Sequence, residues 1–339
     1  MAQDKVLILG PSWVGDMVLA HSLFQELKTQ NPSVQIDVAA PFWTIPLIDR
    51  MPEISNGIPL PFKHKQLAIF DRIRFGLSLR QEGYTQAILL VNSFKSAILP
   101  VAAGIPKRTG FLGEMRYGLL NDIRPLDQSK YPRTIDRFVL LASPGSESSV
   151  KLNVRDPVLI ASQANALEIK KRLSIDMDAN PILALCPGAE YGNAKRWPAE
   201  YFSEVANHFL DRDWKVWLFG SDKDTIVTEH INQLTRNRCT DLGGKTKLGE
   251  AIDLMSLCDC VVSNDSGLMH VAAALNKKVV AIYGSSDPFH TPPMNPKAVI
   301  EYLGLECSPC FERECPLGHL NCLKLIPPSK IIRDLSESI

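Results

Sequence analysis

Short apolar runs alternate with helically patterned segments along most of the chain. In the first half, the runs VLILG, VQIDVAA and QAILLVN are typical of buried strands. Between them, Asp16–Thr29 and Leu67–Gln81 carry apolar residues at helical spacing. Apolar strands that alternate with helices are typical of a parallel, doubly wound sheet. The first half is therefore predicted to be a Rossmann-like α/β domain.

The same alternation stops and then restarts in the second half. The polar stretch SPGSESSVKLN (Ser143–Asn153) interrupts it, and PILALCPG, WKVWLFGS, CDCVVSND and KVVAIYG then predict a second set of strands. The prediction is an α/β protein of two doubly wound domains, residues 1–160 and 161–326, followed by a terminal segment, 327–339. The default position for a site in such a protein is a central cleft between the facing domains.

Composition narrows the class of protein. Apolar residues make up 45% and charged residues 22% of the 339, which is typical of a soluble globular protein. No apolar run approaches the ~18 residues of a membrane-spanning helix. The eight cysteines without a leader-like apolar segment favour reduced thiols, and hence a cytoplasmic protein. The formal net charge is zero, but residues 1–170 carry 19 Lys and Arg against 15 acids, which leans towards an anionic partner.

The stretch GPSWVGDMVLAHSLFQELK follows the first predicted strand. Its glycines, Gly10 and Gly15, are spaced as in a phosphate-binding loop, but Asp16 stands where a lysine would be expected. A carboxylate at a helix amino terminus is stabilised by the dipole and would repel a phosphate. Two interpretations stay open: Asp16 caps the helix, or it is a functional acid. Its place at the carboxyl end of a strand favours a general base.

Two segments of the second half predict an anion site. CPGAEYGNAKRWP brings Lys195 and Arg196 to a strand end, where adjacent cations suit a diphosphate, although they also suit an exposed loop. VVSNDSGLMHVAAALN ends a strand at Asp265 and opens a helix at Ser266 and Gly267, whose backbone N–H groups suit an anion.

His270 follows one turn after that helix start. Both residues also have a purely structural interpretation. Asp265 would cap the helix, and His270 would be a partly buried histidine with satisfied hydrogen bonds. Because both segments follow strands of one predicted sheet, they are expected to converge on one diphosphate, which favours the functional interpretation.

A cysteine-rich segment, CSPCFERECPLGHLNC, stands apart from these features. Four thiols within sixteen residues suit a structural zinc site, at Cys307, Cys310, Cys315 and Cys322. Free or redox-active thiols are the alternative.

Several longer motifs together resemble the ADP-heptose:lipopolysaccharide heptosyltransferases of glycosyltransferase family nine. They are GPSWVGDM, NSFKSA, GIPKRTGFLGEMRYGLLND, PGAEYGNAKRWP, LFGS, NDSGLMHVAAAL and YGSSDP, and they span Val6 to Pro293. The resemblance implies a GT-B fold whose terminal helix often packs back on the first domain. It implies inverting transfer of L-glycero-D-manno-heptose from ADP-heptose to the first heptose of the Kdo2-lipid A inner core, with no cofactor required.

The resemblance also implies roles for the candidate residues. Asp16 would be the general base. Lys195, with the backbone of Ser266 and Gly267, would stabilise the departing diphosphate, and Asp265 would hold donor hydroxyls. The match of His270 to the family pattern is weaker. Another family-nine transferase, a nucleotide-sugar epimerase or a non-catalytic nucleotide-sugar-binding module remain alternatives.

A lipid-linked acceptor predicts cations on the first domain. Lys95, Arg116 and Arg137 are the candidates for binding Kdo carboxylates or lipid A phosphates, although a solvated basic face is equally compatible with the sequence. The expected location is the cytoplasmic face of the inner membrane, with peripheral contact and no nucleic-acid partner. No amphipathic anchor stands out in the sequence.

Overall fold

A computed structural model describes residues 4–62, 66–143, 152–176 and 178–337 of the protein. The chain divides into two compact units, Met1–Leu159 and Ile160–Ile339, so the division falls beside the predicted boundary. Most of the predicted polar joint, residues 144–151, lies outside the described residues.

Unit 1 contains a six-stranded parallel sheet in the order β3-β2-β1-β4-β5-β6. Its strands are β1 (Lys5–Leu9), β2 (Gln35–Pro41), β3 (Asn56–Leu60), β4 (Gln86–Leu89), β5 (Lys107–Phe111) and β6 (Asp122–Arg124). Its helices are α1 (Val14–Gln30), α2 (Ile45–Ile48), α3 (Ile69–Ser78), α4 (Phe94–Ala102) and α5 (Thr134–Leu140). The three runs predicted as buried strands are thus β1, β2 and β4, the centre of this sheet.

The buried strands of unit 1 explain its parallel sheet. Leu7 and Ile8 of β1 and Leu89 of β4 are fully buried, because helices cover both faces of the sheet. Helix α1 is buried on most of its circumference and packs against α5. Its His21 accepts a 2.9 Å hydrogen bond from the Val158 backbone, which fastens the extended end of unit 1 to this helix.

Unit 2 repeats the architecture with the order β12-β11-β10-β7-β8-β9, again all parallel. Its strands are β7 (Ile182–Cys186), β8 (Lys215–Leu218), β9 (Thr240–Asp241), β10 (Cys260–Asn264), β11 (Lys278–Ile282) and β12 (Ala298–Glu301). Its helices are α6 (Gln163–Arg172), α7 (Ala199–Leu210), α8 (Thr225–Leu234), α9 (Leu248–Met255), α10 (Gly267–Ala274), α11 (Asn321–Lys324) and α12 (Pro328–Ser336).

The terminal helix packs into the core of unit 2. Helix α12 packs on α7 and β11, and its Ile331 and Leu335 are fully buried in the core of unit 2 beside Trp197 and Phe202. Lys278 of β11 donates 2.6 Å hydrogen bonds to two backbone carbonyls of the helix. The helix therefore completes the hydrophobic core of unit 2. The apolar stripe of α12 is buried by packing against the nearest uncovered face of the sheet in unit 2.

Both sheets contain a point where the direction of strand progression reverses. In unit 1 it lies between β1 and β4, and in unit 2 between β7 and β10. Helices that follow the two strands at such a point leave on opposite faces of the sheet, and a crevice opens at the carboxyl ends of the strands. The segments selected from the sequence follow these four strands. No helix within the described ranges is long and apolar enough to cross a membrane.

Candidate active site

Asp16 lies in the first turn of α1, at the reversal point of unit 1. The helix begins at Val14 after Trp13, which is its N-cap residue, so Asp16 is not the cap. The dipole of α1 stabilises the carboxylate there. Gly10 permits the tight entry into this turn, because a Cβ at this position would lie 2.6 Å from the Met17 side chain. Asp16 is half-buried.

Lys95 occupies the equivalent position after β4. It lies in the first turn of α4, and the Glu114 carboxylate accepts a 2.7 Å hydrogen bond from the backbone N–H of Phe94 at the start of this helix. Because β1 and β4 pair in parallel, Asp16 and Lys95 follow the carboxyl ends of neighbouring strands. The structure thus assigns both residues to the crevice side of the same sheet edge.

Arg116 disagrees with its predicted role as an acceptor-binding cation. Its side chain is fully buried, and its guanidinium donates hydrogen bonds to the carbonyls of Val91 and Phe111 and to the side chains of Asn92 and Ser96. Burial lowers the pKa of Arg116, with Glu114 opposing that shift. The guanidinium instead joins the loops that follow β4 and β5.

Arg137 also forms hydrogen bonds with the neighbouring backbone. It lies on α5, is half-buried, and donates hydrogen bonds of 2.9 and 3.2 Å to the carbonyls of Tyr131 and Pro132. Burial lowers the pKa of its guanidinium. These contacts hold the turn that precedes α5. Of the three predicted acceptor cations, Lys95 is the one whose placement agrees best with that role.

Lys195 and Asp265 meet at the reversal point of unit 2. The Lys195 ammonium contacts Oδ2 of Asp265, and the Ser286 hydroxyl donates a 2.5 Å hydrogen bond to the same oxygen. Asp265 and Ser286 are buried, whereas the Lys195 side chain is 18% exposed. The buried carboxylate holds the Lys195 ammonium in one orientation.

The loop that carries Lys195 is braced at two further places. Asn264 at the end of β10 donates a 2.7 Å hydrogen bond to the Pro187 carbonyl and accepts one of 3.0 Å from the Trp197 backbone. The ring of Tyr191 lies 5.1 Å from the Lys195 ammonium and 5.0 Å from the Arg313 guanidinium. The two predicted segments of unit 2 are therefore held together, as expected from the sequence.

Arg196 does not share the position of Lys195. Its guanidinium lies 3.3 Å from the Asp224 carboxylate and donates a 3.4 Å hydrogen bond to the Ala189 carbonyl. Adjacent residues on an extended backbone project to opposite sides, and Arg196 has extended dihedral angles. The structure therefore separates the two cations that the sequence places side by side.

The amino terminus of α10 completes the site in unit 2. Ser266 is its N-cap residue, accepting a 3.4 Å hydrogen bond from the Met269 backbone, and Gly267 is the first helical residue. His270 is buried on this helix, and its Nδ1 has no hydrogen-bond partner among the described residues. Burial lowers the pKa of His270 to about 4, which Lys195 reinforces and Asp265 opposes. The imidazole is therefore neutral at pH 7.

The chain is similar to known proteins over most of its length. Residues 72–321 match the model of glycosyltransferase family 9 (heptosyltransferase). The chain is 41% identical to lipopolysaccharide heptosyltransferase 2 of Escherichia coli K12, over 98% of this chain and 97% of that protein. It is 44% identical to lipooligosaccharide heptosyltransferase 2 of Haemophilus influenzae, over 87% and 88% of the two chains.

The chain belongs to glycosyltransferase family 9, the heptosyltransferases. A solved structure of E. coli ADP-heptose lipopolysaccharide heptosyltransferase II superimposes with a TM-score of 0.87 at 39% identity, covering 98% of both chains. The GT-B fold and the glycosyltransferase class expected from the sequence are therefore confirmed.

The geometry of the cysteine segment in this family 9 protein does not support the predicted zinc site among the residues that the structure describes. Its four cysteines and His319 line one small cavity beside Ala194 and Ser285. Within the described ranges, however, no three His, Cys, Asp or Glu side chains are arranged to hold a metal ion. Backbone N–H donors, that of Leu320 foremost, lower the pKa of the Cys315 thiol, whereas burial raises that of Cys322. The zinc prediction is thus unsupported by the geometry.

Sequence reasoning missed three residues that build the candidate site in unit 2. Ser286, Asn264 and Tyr191 were not selected, although each lies within a motif that carried the resemblance. The signal for Ser286 is its position after β11, the strand that pairs with β10. A search for polar residues at every strand end of the sheet would have found it.

Proposed function

We propose that this protein transfers L-glycero-D-manno-heptose from ADP-heptose to the first heptose of the Kdo2-lipid A inner core in lipopolysaccharide biosynthesis. The observation that carries the proposal is the pairing of Lys195 with Asp265 beside the amino terminus of α10. This cation and these N–H groups suit a sugar diphosphate. The relatives named heptosyltransferase 2, at 41% and 44% identity, support the choice of acceptor.

In this proposal Asp16 is the general base. Its carboxylate takes the proton of the acceptor hydroxyl while that oxygen attacks the anomeric carbon of the donor. The bond between this carbon and the diphosphate oxygen breaks, the electron pair leaves with ADP, and the anomeric configuration inverts. Asp16 lies in the first turn of α1, where the helix dipole favours a negative charge.

The proposed leaving-group site lies in unit 2. The charge that develops on the diphosphate is stabilised by Lys195 and by the backbone N–H groups of Ser266 and Gly267. Both described contacts of the Asp265 carboxylate use Oδ2, which leaves Oδ1 for a hydroxyl of the donor. Asp265 therefore has two proposed functions, to orient Lys195 and to bind the donor sugar.

On the acceptor side we propose that Lys95 pairs with an anionic group of the inner core. The protein is proposed to act at the cytoplasmic face of the inner membrane, because the acceptor is a lipid. The contact is proposed to be peripheral.

Transfer assays with defined acceptors test this proposal. We expect product on a one-heptose acceptor, loss of product in Asp16→Asn, and unchanged ADP-heptose binding by calorimetry. Asp71→Asn is the matched control, because Asp71 also lies in the first turn of a helix that follows a strand of this sheet. Product only on heptose-free Kdo2-lipid A would assign the protein to addition of the first heptose instead. Full activity in Asp16→Asn would exclude Asp16 as the base.

A further inference from the structure

Helix α3 has an outer apolar stripe in addition to its packed face. On the packed face, Phe75 meets Phe62 edge-to-face at 6.1 Å, and Gly76 lies so close to α4 that a Cβ would be 2.6 Å from the Leu99 carbonyl. On the outer side, Phe70 is 83% exposed, and Ile73 and Leu77 are also exposed. Their spacing of three and four residues places them on one face. A surface helix is expected to be polar on that face.

The loop before α3 extends this stripe. Arg72 is buried, stacks 4.2 Å above the Phe62 ring, and donates a 2.8 Å hydrogen bond to the Leu67 carbonyl. The backbone is therefore fixed while the Leu67 side chain remains exposed. The exposed side chain is held in place rather than left on an unsupported loop.

Two further exposed aromatic residues lie at the carboxyl edge of the same sheet, next to the loop that leads to Asp16. Phe42 and Trp43, directly after β2, are exposed and stack edge-to-face at 5.4 Å. The Trp43 indole donates a 3.2 Å hydrogen bond to the Ser12 carbonyl, in the loop that leads into α1. Strand β2 pairs with β1 on one side and with β3 on the other, so Phe42 and Trp43 follow the strand that lies between the Asp16 loop and the segment leading to α3.

Cations accompany the apolar side chains. Arg74 is exposed on α3, and no described carboxylate forms an ion pair with it. Arg80 follows at the end of the helix, where its exposed guanidinium donates a 2.9 Å hydrogen bond to the Ala102 carbonyl, whereas Asp71 is the one acid of α3. An apolar stripe with flanking arginines is typical of helices that lie in the headgroup layer of an anionic bilayer. Aromatic side chains such as Trp43 favour the same layer.

We propose that this apolar edge docks on an anionic lipid bilayer and presents the crevice of Asp16 to the membrane surface. The docking edge comprises Phe42, Trp43, Leu67, Phe70, Ile73 and Leu77. A lipid-linked acceptor then reaches the base from the bilayer without leaving it. The proposal rests on the proposed function only for the identity of that acceptor.

Vesicle binding tests the docking edge directly. The full-length protein is mixed with phosphatidylglycerol–phosphatidylethanolamine vesicles that contain no acceptor, and bound protein is measured by flotation. We expect at least tenfold weaker binding for the double variant Phe70→Glu/Ile73→Glu. The matched control is Ile226→Glu, because Ile226 is 81% exposed on a helix of unit 2 and is expected to bind as the wild type does. We also expect weaker wild-type binding in 0.5 M salt, because salt screens the arginines.

A second readout separates docking from chemistry. Transfer to a deacylated, water-soluble acceptor is expected to be equal in wild type and double variant, whereas transfer to acceptor in vesicles falls in the variant. Wild-type protein that transfers to the soluble acceptor but does not bind vesicles would refute the docking edge and leave the proposed function standing. Vesicle binding lost in the double variant, without transfer to any heptose acceptor, would support the edge and refute the function.

Self-association is the competing use of this surface. If light scattering shows a wild-type dimer that the double variant converts to a monomer, with vesicle binding unchanged, the edge is an interface between two copies and the membrane proposal is wrong.

Discussion

Arg116 offers the sharpest test of how the structure revises a sequence interpretation. If Arg116 bound the acceptor, its replacement by alanine would weaken acceptor binding and leave the fold intact. As a buried connector, the same replacement removes four hydrogen bonds, two of them to the Val91 and Phe111 carbonyls. We therefore expect Arg116→Ala to act mainly on stability.

The size of the effect follows from these contacts. A net hydrogen bond contributes about 1 kcal/mol, and those made by a charged donor contribute more. The substitution also leaves two buried carbonyls without this donor, while relief of a buried charge offsets part of the loss. The free energy of unfolding should fall by about 3–4 kcal/mol. For a unit of 159 residues, that lowers the melting temperature by roughly 8–15 °C.

Calorimetry and acceptor kinetics together decide between the two roles. Lys95→Ala is the matched variant, because Lys95 is half-buried and forms no ion pair within the described part of the chain. It should change the melting temperature by less than about 2 °C and raise the acceptor KM. An Arg116→Ala protein that melts within 3 °C of wild type, with a tenfold higher acceptor KM, would refute the structural role of Arg116.

Two further predictions concern unit 2. Because the folded pKa of His270, about 4, lies below the unfolded value of about 6.5, the unfolded chain binds the extra proton as pH falls. The stability advantage of wild type over His270→Leu should therefore decrease by about 3 kcal/mol between pH 6.5 and 4, measured by urea unfolding; parallel pH profiles would contradict this. A Cβ at Gly192 would lie 2.3 Å from the Arg313 carbonyl, so Gly192→Ala should displace the Lys195 loop and weaken ADP binding about tenfold in calorimetry. At Gly318 a Cβ would meet no atom within 4 Å, although its φ of +70° strains an alanine locally. Gly318→Ala should therefore lose some stability but bind ADP as wild type does, and equal affinity of the two variants would contradict the bracing role of Gly192.

The candidate site could be predicted as far as strand ends could be located. Asp16, Lys195 and Asp265 were selected because each lies in the segment that follows an apolar run, and the structure places these segments at the reversal points of the two sheets. Ser286 was missed because it follows β11, which becomes relevant only through its pairing with β10. The direction of Arg196 was missed because it depends on Asp224, 28 residues further along the chain.

The sequence by itself determined the alternation of strand and helix, the two-unit organisation and the family. Local periodicity and short motifs determine these features, and neither depends on contacts between distant parts of the chain. Three features were decided by the tertiary structure alone. They are which cationic side chains form hydrogen bonds within the fold, which sheet α12 covers, and the second apolar face that α3 exposes. The physical reason is that a guanidinium can donate hydrogen bonds to any nearby acceptor, and an apolar stripe can pack on any nearby apolar surface. Which acceptor or surface is nearby depends on the crossover connections, which bring together distant parts of the chain.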